Sequence, residues 1–274
     1  MIKKLINSKY LRYLAGFLLL ATILCAFYFS KVALLIVSAF LIIIAMIEYR
    51  NMFKQKEIYP HPILPELFGI ICAYIFITAD NLSSHHLVTP LTLVAVIFSF
   101  IITIIRNKKP YIATSLSTIC AILLIFSGLY IIKLTYYFEQ QHSWYLIFVY
   151  FLTVLSGDWI ASIIGRKFTK KLAPEISPDK TIAGSIAHLT TSCFISLLLA
   201  KFLEFPIIIC LLFGAVVSIF SQFGDLTIST FKRNLDIKHS GSFFFEYGGI
   251  LDRMDSFLFS APAAYYFIFI ITAI

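Results

Sequence analysis

The stretch from Pro206 to Ile228 reads PIIICLLFGAVVSIFSQFGDLTI, and its composition decides the fold class. No charged side chain occurs before Asp225, so this apolar run is long enough to cross a bilayer as one α-helix. Similar apolar runs recur along the whole chain. We therefore predict an all-α, polytopic integral membrane protein of about nine transmembrane helices.

The predicted helices are bounded by short polar connections. Their ranges are 13–30, 32–48, 63–79, 88–105, 111–132, 144–164, 186–203, 206–228 and 257–273. The first is predicted to be retained, because no A-x-A-like cleavage site stands out as it would in a signal peptide. The very short connections at Ser30–Lys31 and Glu204–Pro206 leave open whether each is a full turn or a kinked or re-entrant feature.

The overall composition excludes an ordinary soluble domain. Mean hydropathy is +0.91 and 13% of residues are charged, whereas a soluble domain carries about a quarter. The five cysteines lie inside apolar runs and form no C-x-x-C pair, so we predict buried thiols rather than metal ligands or disulfides. They are Cys25, Cys72, Cys120, Cys193 and Cys210.

The distribution of positive charge predicts the membrane topology. With the N-terminus inside, all but three of the 22 basic residues, Lys31, Lys133 and Lys201, fall in cytoplasmic segments. The net charge of +8 is thereby explained by topology, and we expect no nucleic-acid partner. The chain is predicted to be a single membrane domain, 1–274, of the cell (inner) membrane, with helices of low motif content in 1–135 and catalytic helices and loops in 144–274.

Two carboxylates lie at membrane depth. Asp158 and Asp225 occur near the cytoplasmic ends of the sixth and eighth predicted helices. A charge at the bilayer centre costs at least ~2.5–3.5 kcal/mol, and less toward the interface. Each either pairs with a basic residue on a neighbouring helix or lines a polar cavity. If the helix continues, Asp225, Ser229 and Arg233 form one polar stripe with Lys232 beside it, which suits a metal ion and a polyphosphate.

The cytoplasmic segment 165–185 contains the sequence SPDKT, Ser177 to Thr181. A lysine and hydroxyl groups near a proline turn suit the binding of phosphate oxygens. Basic loops on the cytoplasmic face are also ordinary topology signals, so this motif alone leaves both interpretations open.

The cytoplasmic segment 231–256 ends in EYGGILDRMDS, Glu246 to Ser256. The pair Gly248–Gly249 predicts a tight turn or a close approach to a ligand. Asp252 and Asp255 then begin the last helix on one face. They either complement the helix dipole or contribute, with Asp225, to a divalent-metal and phosphate site.

Together these two segments resemble the signature of the phosphatidate cytidylyltransferase (CDP-diacylglycerol synthase) family, over about 155–256. The family patterns are D-x-x-A-y-x-x-G-r…S-P-x-K-T-x-x-G, then G-D-L, then S-x-apolar-K-R-x4-K-D, and finally P-G-H-G-G-x-x-D-R-x-D. The first is matched by Asp158, Ala161, Gly165, Arg166, Ser177, Pro178, Lys180, Thr181 and Gly184. The later ones are matched by Gly224–Leu226, Ser229, Phe231, Lys232, Arg233, Lys238, Gly248, Gly249, Asp252, Arg253 and Asp255.

Three departures mark a divergent member of that family. The family's K-D becomes Lys238–His239, and its P-G-H-G-G becomes residues 245–249 with Tyr247 in place of histidine. Ile228 stands where an acidic residue is usually expected. These changes bear on substrate preference and on activity.

The resemblance implies transfer of the cytidylyl group of CTP to phosphatidate, giving CDP-diacylglycerol and pyrophosphate, with Mg²⁺ or another divalent metal. The implied partners are CTP, phosphatidate and membrane lipid, and a homodimer is an open alternative to a monomer. Catalytic roles fall on Asp225, Asp252, Lys232, Arg233, Arg253 and Asp255, with Asp225 and Asp252 as metal ligands. Substrate-binding roles fall on Asp158, Ser177, Lys180, Thr181, Ser229, Lys238, Gly248 and Gly249.

Three other functions stay open from the sequence. A CTP-dependent lipid kinase of the dolichol-kinase type would release CDP instead of pyrophosphate. An ion-coupled transporter would use Asp158 and Asp225 as ion sites, although no matching pair of broken helices occurs in two halves. A catalytically inactive relative is compatible with the departures at His239 and Tyr247.

Overall fold

The computed structural model describes residues 21–22, 25, 30–79, 81–107, 109–136, 143–198, 205–241 and 248–273. Within them, helices make up nearly all of the regular structure, and one short β-hairpin joins two of the helices. In chain order the elements are α1 (Lys31–Lys54), α2 (Leu64–Thr78), α3 (Asn81–Arg106), α4 (Tyr111–Tyr136), α5 (Ser143–Gly165), β1 (Lys171–Ala173), β2 (Ser177–Thr181), α6 (Ile182–Leu198), α7 (Ile207–Asn234) and α8 (Leu251–Ala273).

The helices have the length and composition of membrane spans. Six helices in the described part of the chain are long and apolar enough to cross a bilayer, and α2 and α6 are shorter apolar helices. The predicted polytopic all-α class is therefore confirmed. The count of nine stays a prediction, because the first predicted span, 13–30, lies almost entirely outside the described residues.

Large apolar side chains cover the outside of several helices. Ile104 and Ile105 at the end of α3 and Ile112 at the start of α4 are 74%, 75% and 76% exposed. A soluble monomer rarely carries contiguous apolar surface of this extent. Lipid tails satisfy such side chains, which agrees with helices that lie in a membrane.

Contacts divide the chain into two compact units. The first unit is Met1–Leu129 with Asn234–Met254. In it, Gly69 of α2 allows close packing, since a Cβ there would lie 2.6 Å from Ile125 and 3.2 Å from Ile42. The buried Tyr49 hydroxyl of α1 donates to the backbone oxygen of Ser117 in α4, at 3.0 Å. Helices α1, α2 and α4 thus share one core.

The second unit is Tyr130–Arg233 with Asp255–Ile274. In it, α6 and α7 approach closely at Gly214, where a Cβ would lie 2.7 Å from the backbone oxygen of Ser192. The buried hydroxyls of Tyr150 in α5 and Ser260 in α8 are hydrogen-bonded at 2.9 Å. These contacts fix the helices that carry the first family motif and the polar stripe.

The described parts of the polar segments contain more regular structure than the sequence predicts. The SPDKT motif forms strand β2, paired antiparallel with β1, and the turn beside it is at residues 174–176, which include Pro174. The Thr181 hydroxyl accepts a hydrogen bond from the Gly184 backbone N–H at 3.1 Å, which caps α6 and starts it at Ile182 rather than at 186. Helix α7 continues to Asn234 and α8 begins at Leu251. The polar segment between these two helices is therefore 235–250, shorter than the predicted 231–256.

Candidate functional site

In the second unit, the β-hairpin and α7 meet through an ion pair. The Lys180 Nζ of β2 lies 2.6 Å from the Asp225 Oδ2 of α7. The two side chains are 24% and 28% exposed, but the Lys180 Nζ atom itself is buried. The pair brings together the two sequence motifs of the second unit, at SPDKT and at G-D-L.

The polar stripe on α7 is formed as its spacing predicts. The Ser229 hydroxyl donates to Asp225 Oδ1 at 3.3 Å, one helical turn along. One turn further, Arg233 Nε donates to the backbone oxygen of Ile176 at 3.0 Å, in the turn between the strands. Arg233 itself is exposed. A carboxylate, a hydroxyl and two cations therefore line one edge of the hairpin.

A second polar network lies deeper among α5, α6 and α7. The buried His188 has its Nε2 3.2 Å from Asp158 Oδ1 and its Nδ1 2.7 Å from the Ser218 hydroxyl. Gln222 Nε2 donates to the same hydroxyl at 3.2 Å. Asp158 thus pairs with a side chain on a neighbouring helix, which is one of the two interpretations given for it, and its substrate-binding role stays a prediction.

Glycines make room for the side chains of this region. A Cβ at Gly157 would lie 2.6 Å from the His188 ring, so only glycine lets the ring reach Asp158.

The Thr181 hydroxyl lies 3.3 Å from the Gly165 backbone oxygen in addition to capping α6. Thr181 is buried, so a structural role accounts for its contacts, while its role in positioning CTP stays a prediction. Ser177 is half-buried at the start of β2.

In the first unit, Asp252 holds the loop before α8. Its Oδ2 accepts backbone hydrogen bonds from Ser240 at 2.9 Å and from Gly249 at 3.2 Å. His239, the first departure from the family signature, has its Nδ1 3.8 Å from the same oxygen. Gly248 has a φ of +97°, which explains a glycine there, while the tight turn or close ligand approach predicted for the glycine pair stays a prediction.

Glu48 of α1 is a carboxylate that the sequence analysis missed. It is 6% exposed, and its Oε2 accepts a hydrogen bond from the Leu251 backbone N–H at 3.1 Å. A Cβ at Gly241 or at Gly249 would overlap its carboxylate. The signal that could have found it is a carboxylate at the end of the otherwise apolar predicted span 32–48, where burial is costly unless the group is hydrogen-bonded or paired.

The segment 231–256 carries further charged residues. Asp255 Oδ1 accepts from the Ser256 backbone N–H at 2.8 Å, at the start of α8. Lys232 and Arg253 are half-buried, and Lys238 is exposed. In the same loop, a hydrogen bond and the charge of Lys56 lower the pKa of the exposed Asp236. Tyr247, the other polar departure, lies outside the described residues.

Ile228 shows how the third departure is accommodated. Its side chain is fully buried in α7, where an apolar residue packs without the desolvation cost of an acid. Asp225 belongs to the second unit and Asp252 to the first, and the joint metal site predicted for them stays a prediction.

The donor set at Asp225 fits magnesium in part. No group of three or more His, Cys, Asp or Glu that could hold a metal occurs among the described residues. Magnesium usually takes one or two carboxylates and completes its shell with waters and substrate phosphates. Asp225 with the Ser229 hydroxyl offers such hard oxygen ligands, and the Lys180 ammonium already lies where a cation is attracted.

The sequence profile of the cytidylyltransferase family matches residues 10–271. The chain belongs to that family. The phosphatidate cytidylyltransferase of Bacillus subtilis (strain 168) is 31% identical over 235 residues, which are 81% of this chain and 84% of the relative. The family predicted from the two motifs is therefore confirmed.

Two staphylococcal relatives of this cytidylyltransferase-family chain match at higher identity over shorter regions. The phosphatidate cytidylyltransferase of Staphylococcus haemolyticus is 42% identical over 130 residues, 46% of this chain and 50% of the relative. That of Staphylococcus saprophyticus is 43% identical over 121 residues, 43% of this chain and 46% of the relative. The matched regions thus span about half the length of these two proteins.

Proposed function

We propose that this cytidylyltransferase-family protein transfers the cytidylyl group of CTP to phosphatidate, forming CDP-diacylglycerol and pyrophosphate. The observation that carries the proposal is the Lys180–Asp225 pair, because it joins two family motifs at one place. Phosphatidate cytidylyltransferase is also the name of the relatives reported above. The membrane helices agree with a lipid substrate.

The chemistry is an in-line substitution at phosphorus. A phosphate oxygen of phosphatidate forms a bond to the α-phosphorus of CTP. The bond from that phosphorus to the oxygen bridging to the β-phosphorus breaks, and its electron pair leaves with pyrophosphate. No protein base is needed, because a phosphomonoester is already ionised near neutral pH, with a second pKa of about 6.

The protein must overcome the repulsion between two anionic substrates. Lys180 of β2, paired with Asp225 at one end of the polar stripe, and Arg233 at the other end supply positive charge on the same edge of the hairpin. Lys180 has three N–H donors, so in this proposal one contacts Asp225 and another a phosphate oxygen, which requires the buried Nζ to become accessible when CTP binds. Fixed cations of this kind stabilise the charge that develops as pyrophosphate leaves.

Magnesium, or another divalent metal, is proposed to bind at Asp225 with Ser229. When bound, such an ion neutralises phosphate charge and orients the leaving group. In this proposal Asp225 and Ser229 supply oxygen ligands to the metal ion, and Lys180 and Arg233 hold CTP phosphates. The roles of Asp252, Arg253, Asp255, Lys232 and Lys238 in the same reaction are proposed from the family resemblance.

We further propose the cell (inner) membrane as the location. One substrate is a lipid and the other is soluble in the cytoplasm, and the basic residues predict that both motif segments face the cytoplasm. The homodimer stays a prediction.

The proposal is tested with purified protein in lipid–detergent micelles that contain phosphatidate, CTP and magnesium. We expect release of pyrophosphate that requires both substrates and that falls at least about tenfold in Asp225→Asn. Release of CDP would favour the lipid kinase. No turnover in the wild type would favour the inactive relative or the transporter and would overturn the proposal.

A further inference from the structure

We propose that Glu48 is a positioning residue that fixes the Gly248–Asp252 turn in its working conformation. The inference rests on the proposed function, because the turn belongs to the family signature that we assign to cytidylyl transfer. Glu48 lies in α1, far from that signature in sequence, and no family motif identified in the sequence includes it. All the contacts that follow lie within the first unit.

The Glu48 carboxylate is buried at the N-terminus of α8. Burial of a carboxylate is costly unless hydrogen bonds or opposite charge offset the lost hydration. Leu251, the first residue of α8, donates its backbone N–H to Glu48 Oε2 at 3.1 Å. The positive end of the helix dipole favours a negative charge there. Glu48 therefore stabilises the point at which the loop becomes helix.

The backbone on both sides of the loop fits around the same carboxylate. A Cβ at Gly241 would lie 2.5 Å from Glu48 Oε1, and one at Gly249 would overlap the carboxylate more severely. Both positions are glycine, so the backbone can approach Glu48 without a side chain in between. The Glu48 carboxylate thus lies against the backbone at Gly241 and at Gly249.

Asp252 holds the same turn from within. Its Oδ2 accepts from the Gly249 backbone N–H and from the Ser240 backbone N–H. Gly249 therefore lies between two carboxylates, with its N–H directed to Asp252 and its Cα against Glu48. Loss of Glu48 removes one side of this arrangement, and the position of the Asp252 carboxylate changes as a result.

A direct role of the Glu48 charge and an indirect positioning role predict different activities for the Gln and Ala variants of Glu48. Gln keeps the shape of Glu and can accept the Leu251 hydrogen bond, whereas Ala keeps neither. We expect Glu48→Gln to retain kcat within about threefold. We expect Glu48→Ala to lower kcat at least about tenfold while the KM for CTP changes less than about threefold. Glu66→Gln, which neutralises another buried carboxylate of the same unit, is the matched control.

Two results of this kinetic series would overturn the positioning role. If Glu48→Gln is as inactive as Glu48→Ala, the charge acts directly and positioning is the wrong explanation. If Glu48→Ala keeps the wild-type kcat, Glu48 has no part in the reaction.

A double-mutant cycle tests the contact without any turnover. We expect Gly249→Ala to lower the unfolding midpoint in the wild-type background, and to lower it clearly less when Glu48 is also replaced by Ala, because the overlap is relieved. If Glu48→Ala does not fold, Glu48→Asp takes its place, since its carboxylate is retracted by one methylene. Additive shifts would overturn the inference. A wild type that folds and shows the coupling but makes no CDP-diacylglycerol would instead count against the proposed function.

Discussion

Lys180 and Asp225 form an ion pair of 2.6 Å between strand β2 and helix α7. The pair joins two motifs that are distant in sequence, and Arg233 joins them a second time through the backbone of Ile176. In the proposed function, this ion pair, the Ser229 hydroxyl and Arg233 together serve phosphate and metal binding.

Replacement of Lys180 by methionine tests this interpretation. Lys180→Met keeps the length of the side chain and removes its charge. Hydrogen bonds to charged groups are worth about 1.5–3 kcal/mol, so we expect kcat/KM for CTP to fall by roughly ten- to a hundredfold. Lys171→Met, on the exposed neighbouring strand, is the control and should stay within about twofold. Equal activity of the two variants would rule out a phosphate contact by Lys180.

Asp252→Asn separates the charge of Asp252 from its hydrogen bonds. The asparagine oxygen can still accept from Ser240 and Gly249, so the loop should remain folded and the unfolding midpoint should change by only a few degrees. Turnover should fall by more than about tenfold if the charge binds metal or orients substrate. A variant with activity within tenfold of the wild type would leave Asp252 with the structural role alone.

The network at His188 is expected to govern stability. Gly157→Ala places a methyl group against the imidazole ring, and His188→Ala leaves the Ser218 hydroxyl and Asp158 without that contact. We expect each single change to cost about 1–3 kcal/mol of unfolding free energy. The double variant should be more stable than the sum of the two losses predicts, measured by thermal unfolding in detergent. Strict additivity would contradict the packing of Gly157 against His188.

The membrane topology is tested by labelling of introduced cysteines. Position 240, which lies in the predicted cytoplasmic segment, is unsuitable because Ser240 is only 3% exposed. Glu175 in the hairpin and Lys238 in the second loop are exposed, and cysteines there should react with impermeant reagents only from the cytoplasmic side. A cysteine in place of the exposed Ser30 should react only from the opposite side. Labelling of Glu175→Cys from outside would overturn the nine-span topology.

Much of the fold could be predicted because the bilayer demands long apolar helices. The runs that predict α1, α3, α4, α5, α7 and α8 are set by composition alone. The β-hairpin could not be predicted, since β1 has three residues and β2 contains a proline and no apolar alternation. Its strands are defined by their pairing, which sequence periodicity does not encode.

The site was predictable in its residue types and less so in its contacts. The spacing of Asp225, Ser229 and Arg233 predicts one helix face, and α7 confirms it. The partners of Asp158 and Lys180 depend on tertiary packing. Glu48 was missed because its partner, Leu251, is 203 residues away in the sequence and because the helix around it carries no motif.

The most direct measurement uses CTP labelled at either its α- or its γ-phosphorus, with phosphatidate, magnesium and purified wild-type protein. Cytidylyl transfer predicts that the α-label enters the lipid product as CDP-diacylglycerol and that the γ-label appears in pyrophosphate. It also predicts that Lys180→Met lowers both signals together. The proposed function would be contradicted by a γ-label found in the lipid. It would also be contradicted if neither the α-labelled nor the γ-labelled CTP gave a labelled lipid.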